Sequence, residues 1–163
     1  MTEKELDFEN RSIVMAEIMT PDMSNFHGNV HGGHVLSLLD RVAYACAARY
    51  SGKYIVTLSV DQVTFKEPIH VGELLSCYAM INYVGISSIE VGIRVVAENL
   101  LTQERRHTNT CYFTMVALDK EGKPTKVKPL TLHDETQKRR FEEAKMRKEA
   151  RLQLKSHKRP KNI

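Results

Sequence analysis

The sequence predicts an α+β protein in which an antiparallel sheet wraps around one long central helix and a charged helix follows at the C-terminal end. The first indication is the order of the elements, strand, long helix, four strands and helix, which lacks the alternation of parallel α/β folds. The second is an apolar stretch at helical spacing that starts after a pair of glycines. The third is composition, since 163 residues with 42% apolar and 27% charged residues suit one soluble globular domain with its own core.

The N-terminal third predicts one strand and then the long helix. Residues 12–19 carry one mostly apolar face, and a Thr-Pro pair ends the strand. From Gly33 to about Tyr50 apolar residues recur at helical spacing, and Gly52 suits the end of a helix. Because this helix is apolar almost all round, we expect it to be buried. A curved sheet covers one side of a helix, so we expect a second copy of the chain to cover the other side.

Four strands and a charged helix are predicted after the long helix. The runs rich in β-branched and aromatic residues are 54–65, 74–84, 86–98 and 106–118. A turn at 119–124 and a Pro- and Lys-rich linker at 123–132 lead into a charged helix at about 133–156. We therefore expect a single domain over residues 1–130, followed by a basic C-terminal helix and tail over residues 131–163.

The positive charge of the chain is concentrated in that tail. The formal net charge is +4, but residues 138–163 contain eleven Lys or Arg and three Glu, so the rest of the chain is acidic. A basic tail can bind nucleic acid, a membrane surface or an anionic cofactor, although a solvated helix is the commoner case. Because aromatic interleaving and any nucleic-acid-binding module are missing, we expect no nucleic-acid partner.

Cysteine spacing and apolar segments indicate a cytoplasmic protein. Cys46, Cys77 and Cys111 are far apart and lack metal-ligand or redox spacing, so we expect reduced thiols packed in the core. Residues 1–7 are mixed in charge and contain no apolar signal region. No apolar stretch is long enough to span a bilayer, and we expect no membrane partner.

The stretch 28–40 carries the clearest chemical signal. Gly28-Asn29-Val30-His31-Gly32-Gly33 forms a polar turn ahead of the helix, and Asp40 lies inside the apolar run. Helical geometry places Asp40 on one stripe with Leu36, Ala43 and Ala47, so we expect it to face a packed environment. A carboxylate there must be paired, protonated or used. Two interpretations stay open, a structural pair with Arg41 or Arg49 and a general base.

The turn itself could supply the other half of a site. The Asn29 amide can hold a water or a carbonyl, and the N–H groups of Gly32 and Gly33 at a helix N-terminus can stabilise an oxyanion. An ordinary turn with an N-cap explains the same residues. Gly33 and Asp40 lie about 10 Å apart along one helix, too far for one water. If both ends act on one substrate, we expect Asp40 to come from a different subunit.

Metal and nucleophilic chemistry are less well supported. His27, His31 and His34 with Asp40 could supply ligands, but two of the histidines precede the helix and the glycines leave the scaffold loose. We expect no metal site, and His31 more plausibly shapes the turn or contacts substrate. No Gly-x-Ser-x-Gly nucleophile motif is present. Direct attack by water is therefore the simpler mechanism.

The sequence resembles the hotdog-fold acyl-CoA thioesterases over roughly residues 10–155. The clearest match is the Gly28–Gly33 turn with Leu38-Leu39-Asp40 following it, as in the cytosolic acyl-CoA hydrolases and their bacterial single-domain counterparts. Further segments that resemble the family are Phe65–Glu73, Val84–Ile89, Phe113–Asp119 and Arg139–Lys145. The combination is highly specific.

The resemblance implies hydrolysis of acyl-CoA to a free fatty acid and CoA. It implies that Asn29 and Asp40 are the catalytic pair, contributed by different subunits of a dimer that often assembles into a trimer of dimers, a hexamer. Many bacterial relatives carry Asp at the position of Asn29, which leaves its role open. CoA is part of substrate and product, so no separate cofactor is implied. A non-catalytic acyl-CoA or nucleotide sensor on the same fold is the alternative.

For CoA contacts we expect the turn that contains Gly85, Ser87 and Ser88, although a plain β-turn explains it equally. The phosphates of CoA need cations along their path. Candidate sources are Arg94, Arg105, Arg106 and the basic tail, and the sequence does not choose among them.

Overall fold

The centre of the molecule is a five-stranded antiparallel sheet. The structure is a computed structural model, and it describes residues 10–157. The strands are β1 (Ser12–Ile18), β2 (Tyr54–Val60), β3 (Leu74–Val84), β4 (Ser88–Glu98) and β5 (Arg105–Leu118), in the spatial order β1-β3-β4-β5-β2. Two long helices accompany it, α1 (Gly32–Ser51) and α2 (Glu135–His157). The predicted α+β fold is confirmed. The segment 1–9 and the end of the tail, 158–163, lie outside the described residues.

Helix α1 lies across the sheet and supplies one side of the core. Val35, Leu39, Val42 and Cys46 repeat at helical spacing and are buried in one cluster with alternate residues of the strands. The helix ends at Gly52, whose left-handed conformation (φ 65°) lets its N–H reach the Ala48 carbonyl. The predicted bounds of this helix are confirmed to within one residue at each end.

The opposite face of α1 is open in the single chain. Leu36, Asp40 and Tyr44 follow one another at four-residue intervals, and Leu36 and Tyr44 are 37% and 44% exposed. The predicted burial of the helix on all sides, and of Asp40 with it, is therefore wrong for one chain alone. The sheet covers only the side that carries Val35 and Leu39, so this apolar stripe is left uncovered by the described residues.

Strand β2 is shorter than predicted and contains a bulge. Thr57 pairs with Met115 and Ser59 with Thr114, so Leu58 is an extra residue in the ladder. Regular pairing ends at Val60 rather than Phe65. Beyond it, only the N–H groups of Asp61 and Lys66 still donate to carbonyls of β5, at Tyr112 and Thr108. The bulge redirects the strand immediately after Thr57.

Helix α2 packs on the outer face of the sheet, the face opposite α1. Glu90 of β4 is 2% exposed and accepts hydrogen bonds from Arg147 of α2 at 2.6 and 3.2 Å. Because Glu90 alternates with the core residues Ile89 and Val91, its side chain must point to the other face. Arg147 also stacks over the ring of Tyr112 at 3.6 Å. The basic helix is therefore attached to the domain by a buried ion pair rather than being a solvated appendage.

The three cysteines are buried free thiols, as the sequence predicts. Burial raises the pKa of Cys77 and of Cys111 to about 12. Within residues 10–157, neither helix is both long and apolar enough to cross a membrane.

Candidate functional site

A tight polar turn precedes α1 and is closed by Asn25. The side-chain oxygen of Asn25 accepts from the N–H groups of His27 (2.9 Å) and Asn29 (3.2 Å), and its own N–H donates to the Asn29 carbonyl at 2.6 Å. Gly28 adopts φ +80°, which closes the turn without a Cβ penalty. The turn is therefore internally braced, and its tip residue Phe26 is fully exposed.

Asn29 is held against the turn that follows β2 in sequence. His70 Nδ1 lies 3.1 Å from the Asn29 side-chain oxygen, and the two residues also form an isolated bridge. Since a carbonyl oxygen only accepts, His70 donates from Nδ1 in this arrangement. The predicted site residue Asn29 thus has its oxygen engaged, and its amide N–H groups remain available.

The turn that carries His70 is itself stabilised by the ion pair of Glu73 with Arg106. Glu73 accepts from the His70 N–H at 2.8 Å and pairs with Arg106. Arg106 also donates to the Pro68 carbonyl at 3.1 Å. This predicted phosphate-binding arginine is therefore committed to structure, and Arg105 is paired with Glu98.

The N-terminus of α1 offers one of the two predicted N–H groups. His31 is the N-cap, and its Nδ1 accepts from the Gly33 N–H at 3.0 Å. The Gly32 N–H has no acceptor among the residues that the structure describes. Of the pair Gly32 and Gly33, only Gly32 is free to polarise a carbonyl in this arrangement.

Asp40 has a hydroxyl partner rather than a cation. Thr57 Oγ1 of β2 donates to Asp40 Oδ1 at 2.6 Å. The two arginines that could have paired with Asp40 are directed elsewhere, since Arg41 contacts Glu17 and Arg49 donates to the Ser12 carbonyl. An exposed carboxylate with one oxygen fixed by a hydroxyl keeps its second oxygen available for a water.

Within one chain, Asp40 lies far from the N–H groups of Gly32 and Gly33. Asp40 lies about two turns along α1 from the glycine pair, about 10 Å by helical rise, and the helix runs unbroken through both. One water therefore cannot bridge Asp40 and the N–H groups of Gly32 and Gly33 in the same chain.

The predicted CoA-binding turn lies at the end of the β3–β4 hairpin. The Gly85 N–H donates to the Ser88 carbonyl at 2.8 Å, and Ser87 and Ile86 accept from Ala117 and Val127. Gly85, Ser87 and Ser88 are all half-buried. Backbone hydrogen bonds from neighbouring segments therefore hold this turn at the end of the sheet.

The histidines of the first turn do not gather around Asp40. Across residues 10–157, no group of three His, Cys, Asp or Glu side chains converges in a way that could hold a metal ion. His31 serves as the helix cap described above.

Two residues of this region were missed by sequence reasoning. Thr57 lies in a run of β-branched residues where threonine is an ordinary strand former, so only its contact with Asp40 distinguishes it. Asn25 lies just outside the glycine-bracketed motif. Its available signal is the residue type, because an Asn favours an Asx turn in which its side-chain oxygen accepts from the N–H two residues on, here that of His27.

Comparison with known proteins places the chain in a family. The model of the Thioesterase superfamily matches residues 27–103. Protein VdlD of Helicobacter pylori is 50% identical over 88% of this chain and 82% of its own length. The structure of an apo-hexameric acyl-CoA thioesterase is 35% identical with a TM-score of 0.87, covering 94% of this chain and 97% of that one.

An acyl-CoA hydrolase from Staphylococcus aureus, solved with butyryl-CoA, CoA and CoA disulfide, is 30% identical. Its TM-score is 0.83, and the match covers 91% of this chain and 90% of that one. These similarities extend over the sheet, both helices and the polar turn rather than over a single motif. The chain belongs to the Thioesterase superfamily and has the hotdog fold of its acyl-CoA hydrolases.

Proposed function

We infer that this protein is an acyl-CoA thioesterase, which hydrolyses acyl-CoA to a free carboxylic acid and CoA. The observation that carries this inference is the Asp40–Thr57 pair on a helix whose N-terminus leaves the Gly32 N–H free. A fixed carboxylate and a free helix N-terminal donor are the two groups that water attack on a thioester needs. Membership of an acyl-CoA hydrolase family supplies the substrate class.

The reaction follows from these groups. Asp40 of one chain takes a proton from a water while the oxygen of that water attacks the thioester carbon. The Gly32 N–H of a second copy of the chain stabilises the carbonyl oxygen as it becomes negative. Collapse of the tetrahedral intermediate breaks the C–S bond, and CoA leaves as a thiolate that takes the proton back from Asp40. Thr57 keeps Asp40 oriented throughout. A thiolate is a good enough leaving group that no further acid is required.

The asparagine that assists Asp40 is proposed to lie in the polar turn, with Asn29 as the residue expected from the motif. Spacing in the S. aureus hydrolase also supports Asn25. Variants of that enzyme replace an Asn, an Asp and a Thr by Ala, at positions 15 and 17 residues apart. Asn25, Asp40 and Thr57 have the same two separations here.

The active unit is proposed to be a dimer with two composite sites, assembled further into a trimer of dimers. Support comes from the open stripe of Leu36, Asp40 and Tyr44 on α1 and from β2, whose outer edge is unpaired in the described sheet. A second copy that covers this stripe could bring its own polar turn to Asp40. Similar structures include hexameric thioesterases.

The test is a thiol-release assay on a panel of acyl-CoA substrates of increasing chain length. We expect turnover by the wild-type protein and loss of kcat by about a hundredfold or more in Asp40→Asn, which removes the base but keeps the shape. Glu149→Gln, an exposed carboxylate on α2, is the matched control and should keep full activity. Absence of turnover on every chain length together with tight CoA binding would instead identify a sensor.

A further inference from the structure

A groove of about 690 Å³ runs between the C-terminal half of α2 and the outer face of the sheet. Its walls are apolar where Leu58 of β2 faces Leu152 and Leu154 of α2, all of which are largely exposed. Its polar lining includes Ser88, Lys148, Arg151 and Lys155. The groove is thus an apolar trough with cations along the side that α2 supplies.

The cations of this groove fall into two groups. Arg151 is committed to structure, because its Nη1 donates to both carboxylate oxygens of Asp61, at 3.0 and 2.8 Å, and lies 3.8 Å from Glu90. Lys148 and Lys155 have no carboxylate partner among residues 10–157. Lys148 hydrogen-bonds the hydroxyl of Tyr83 at 3.3 Å and lies over its ring. The carboxylates of the groove are therefore neutralised by arginines, while two ammonium groups are left to attract an anion.

The predicted CoA turn is one end of the same groove. A Cβ atom at Gly85 would lie 2.7 Å from Ser88 Oγ and 3.0 Å from Lys148 Nζ. The Ser88 hydroxyl and the Lys148 ammonium group thus both lie next to Gly85, in space that a larger side chain at this position would share with them. Together, these groups resemble the donors and cations that hold phosphate oxygens in proteins.

The turn that contains Gly85 and Ser88 lies at a similar position along the strands to Thr57, the partner of Asp40. Ile89 pairs with Met115, which pairs with Thr57, so Ser88 is one residue from the row of the sheet that holds Thr57. Two strand spacings, about 10 Å, separate β4 from β2. Ser88, which lies near Lys148 at the Gly85 turn, is therefore at a similar level along the strands to the Asp40–Thr57 pair, on the opposite face of the sheet.

We propose that Lys148 and Lys155 of the C-terminal helix, with Ser88, bind the phosphates of the CoA portion of the substrate. The inference rests on the proposed thioesterase function and assigns the nucleotide end of the substrate to a helix outside the catalytic domain. The apolar wall formed by Leu58 and Leu152 gives the adenine ring a surface to lie on. The basic helix then has two roles, since Arg147 and Arg151 attach it and Lys148 and Lys155 bind the anion.

The test compares two substrates that differ only in the nucleotide. Steady-state kinetics are measured for an acyl-CoA and for the acyl-pantetheine thioester with the same acyl chain, using the full-length wild type and the double variant Lys148→Ala/Lys155→Ala. We expect KM for the acyl-CoA to rise by about tenfold or more with kcat within about twofold. KM for acyl-pantetheine should not change. Lys145→Ala, an exposed lysine of α2 outside the groove, is the matched control.

The outcomes separate this inference from the proposed function. An unchanged KM for acyl-CoA, or an equal rise for both thioesters, would overturn the lysine assignment while leaving the thioesterase function intact. If the wild type turned over neither thioester, the proposed function would fail, and calorimetric titration with CoA would test the lysines. Tenfold weaker binding of CoA by the double variant would support them, and equal binding would refute them. Raising the ionic strength should raise KM in the wild type more than in the double variant.

Discussion

At the scale of single residues, the chemistry rests on a hydrogen bond that the sequence does not reveal. Asp40 is an exposed carboxylate that pairs with no cation among residues 10–157, and Thr57 fixes one of its oxygens at 2.6 Å. The bulge at Leu58 shifts the pairing register directly after this threonine, and the ladder continues to Val60. A general base of this kind depends on its orientation, because a carboxylate held by a hydroxyl presents a defined lone pair to water.

We therefore expect Thr57→Val to lower kcat by about tenfold to a hundredfold, the value of one hydrogen bond to a charged group. Thr57→Ser keeps the hydroxyl and should retain most of the activity. The measurement is kcat by thiol release, with thermal unfolding to confirm that both variants are folded. Equal activity of the valine and serine variants would mean that the hydroxyl does not orient Asp40.

The polar turn supplies a second residue-scale prediction, which distinguishes its two asparagines. Asn25→Asp keeps the oxygen that closes the turn but removes the amide donors. We expect this change to lower kcat by more than tenfold with little loss of thermal stability. The same replacement at Asn29 should be tolerated, since its oxygen is the atom held by His70. If Asn29→Asp proved the more damaging of the two, Asn29 would be the catalytic amide.

At the scale of elements, the most deeply buried ion pair between α2 and the sheet is the pair of Glu90 with Arg147. Glu90 is paired with Arg147 at 2.6 Å. Its other partners lie farther away, Asn82 at 3.5 Å and Arg151 at 3.8 Å, and Arg151 is already held by Asp61, so they replace Arg147 only in part. Removing one partner of a buried pair leaves an uncompensated charge, which costs about 3 kcal/mol or more. Exposed pairs on the same helix, such as Arg139–Glu143, contribute far less.

Arg147→Ala should accordingly lower the free energy of unfolding by about 3 kcal/mol, measured by urea denaturation at fixed protein concentration. Arg139→Ala is the matched control on α2 and should cost less than about 1 kcal/mol. Similar losses in the two variants would show that the Glu90 pair contributes no more than a surface pair.

The elements themselves follow closely from sequence patterns. The bounds of β3 and α1 are reproduced almost to the residue, because alternating or helically spaced apolar residues and a left-handed Gly52 mark them locally. Strand β2 was predicted to continue to Phe65, since its residues favour extended backbone throughout. Pairing decides where a strand ends, and the bulge at Leu58 depends on the partner strand rather than on local preference.

The site follows less closely because its contacts join residues far apart in sequence. The Gly28–Asp40 stretch is local, and its motif identifies the family and the chemistry. Thr57, Arg106 and Lys148 acquire their roles only through partners on other elements, namely Asp40, Glu73 and the Gly85 turn. The burial predicted for Asp40 failed for the same reason, since the surface that would cover it is not part of one chain.

At the scale of the whole molecule, the proposed dimer implies that a single chain does not hold a complete site. The polar turn lies just before α1, and the candidate base Asp40 lies about two turns into the helix. The same helix carries an apolar stripe from Leu36 to Tyr44 that the sheet of its own chain does not cover. A two-fold related copy on this stripe would bury the stripe and bring each turn to the other chain's Asp40. Covering the stripe and completing the site are then one event, so activity should depend on assembly.

This dependence predicts complementation between two inactive chains. Asp40→Asn chains and chains inactivated in the polar turn, by Asn25→Asp or Asn29→Ala, should each have little activity alone. When the two are unfolded together and refolded, half of the dimers are mixed, and each mixed dimer contains one site with both native residues. The mixture should therefore regain about a quarter of the wild-type kcat per chain. Refolding each variant separately and mixing afterwards is the control, which should stay inactive if exchange is slow. A co-refolded mixture with no more activity than its separate components would place both residues in a site formed by one chain.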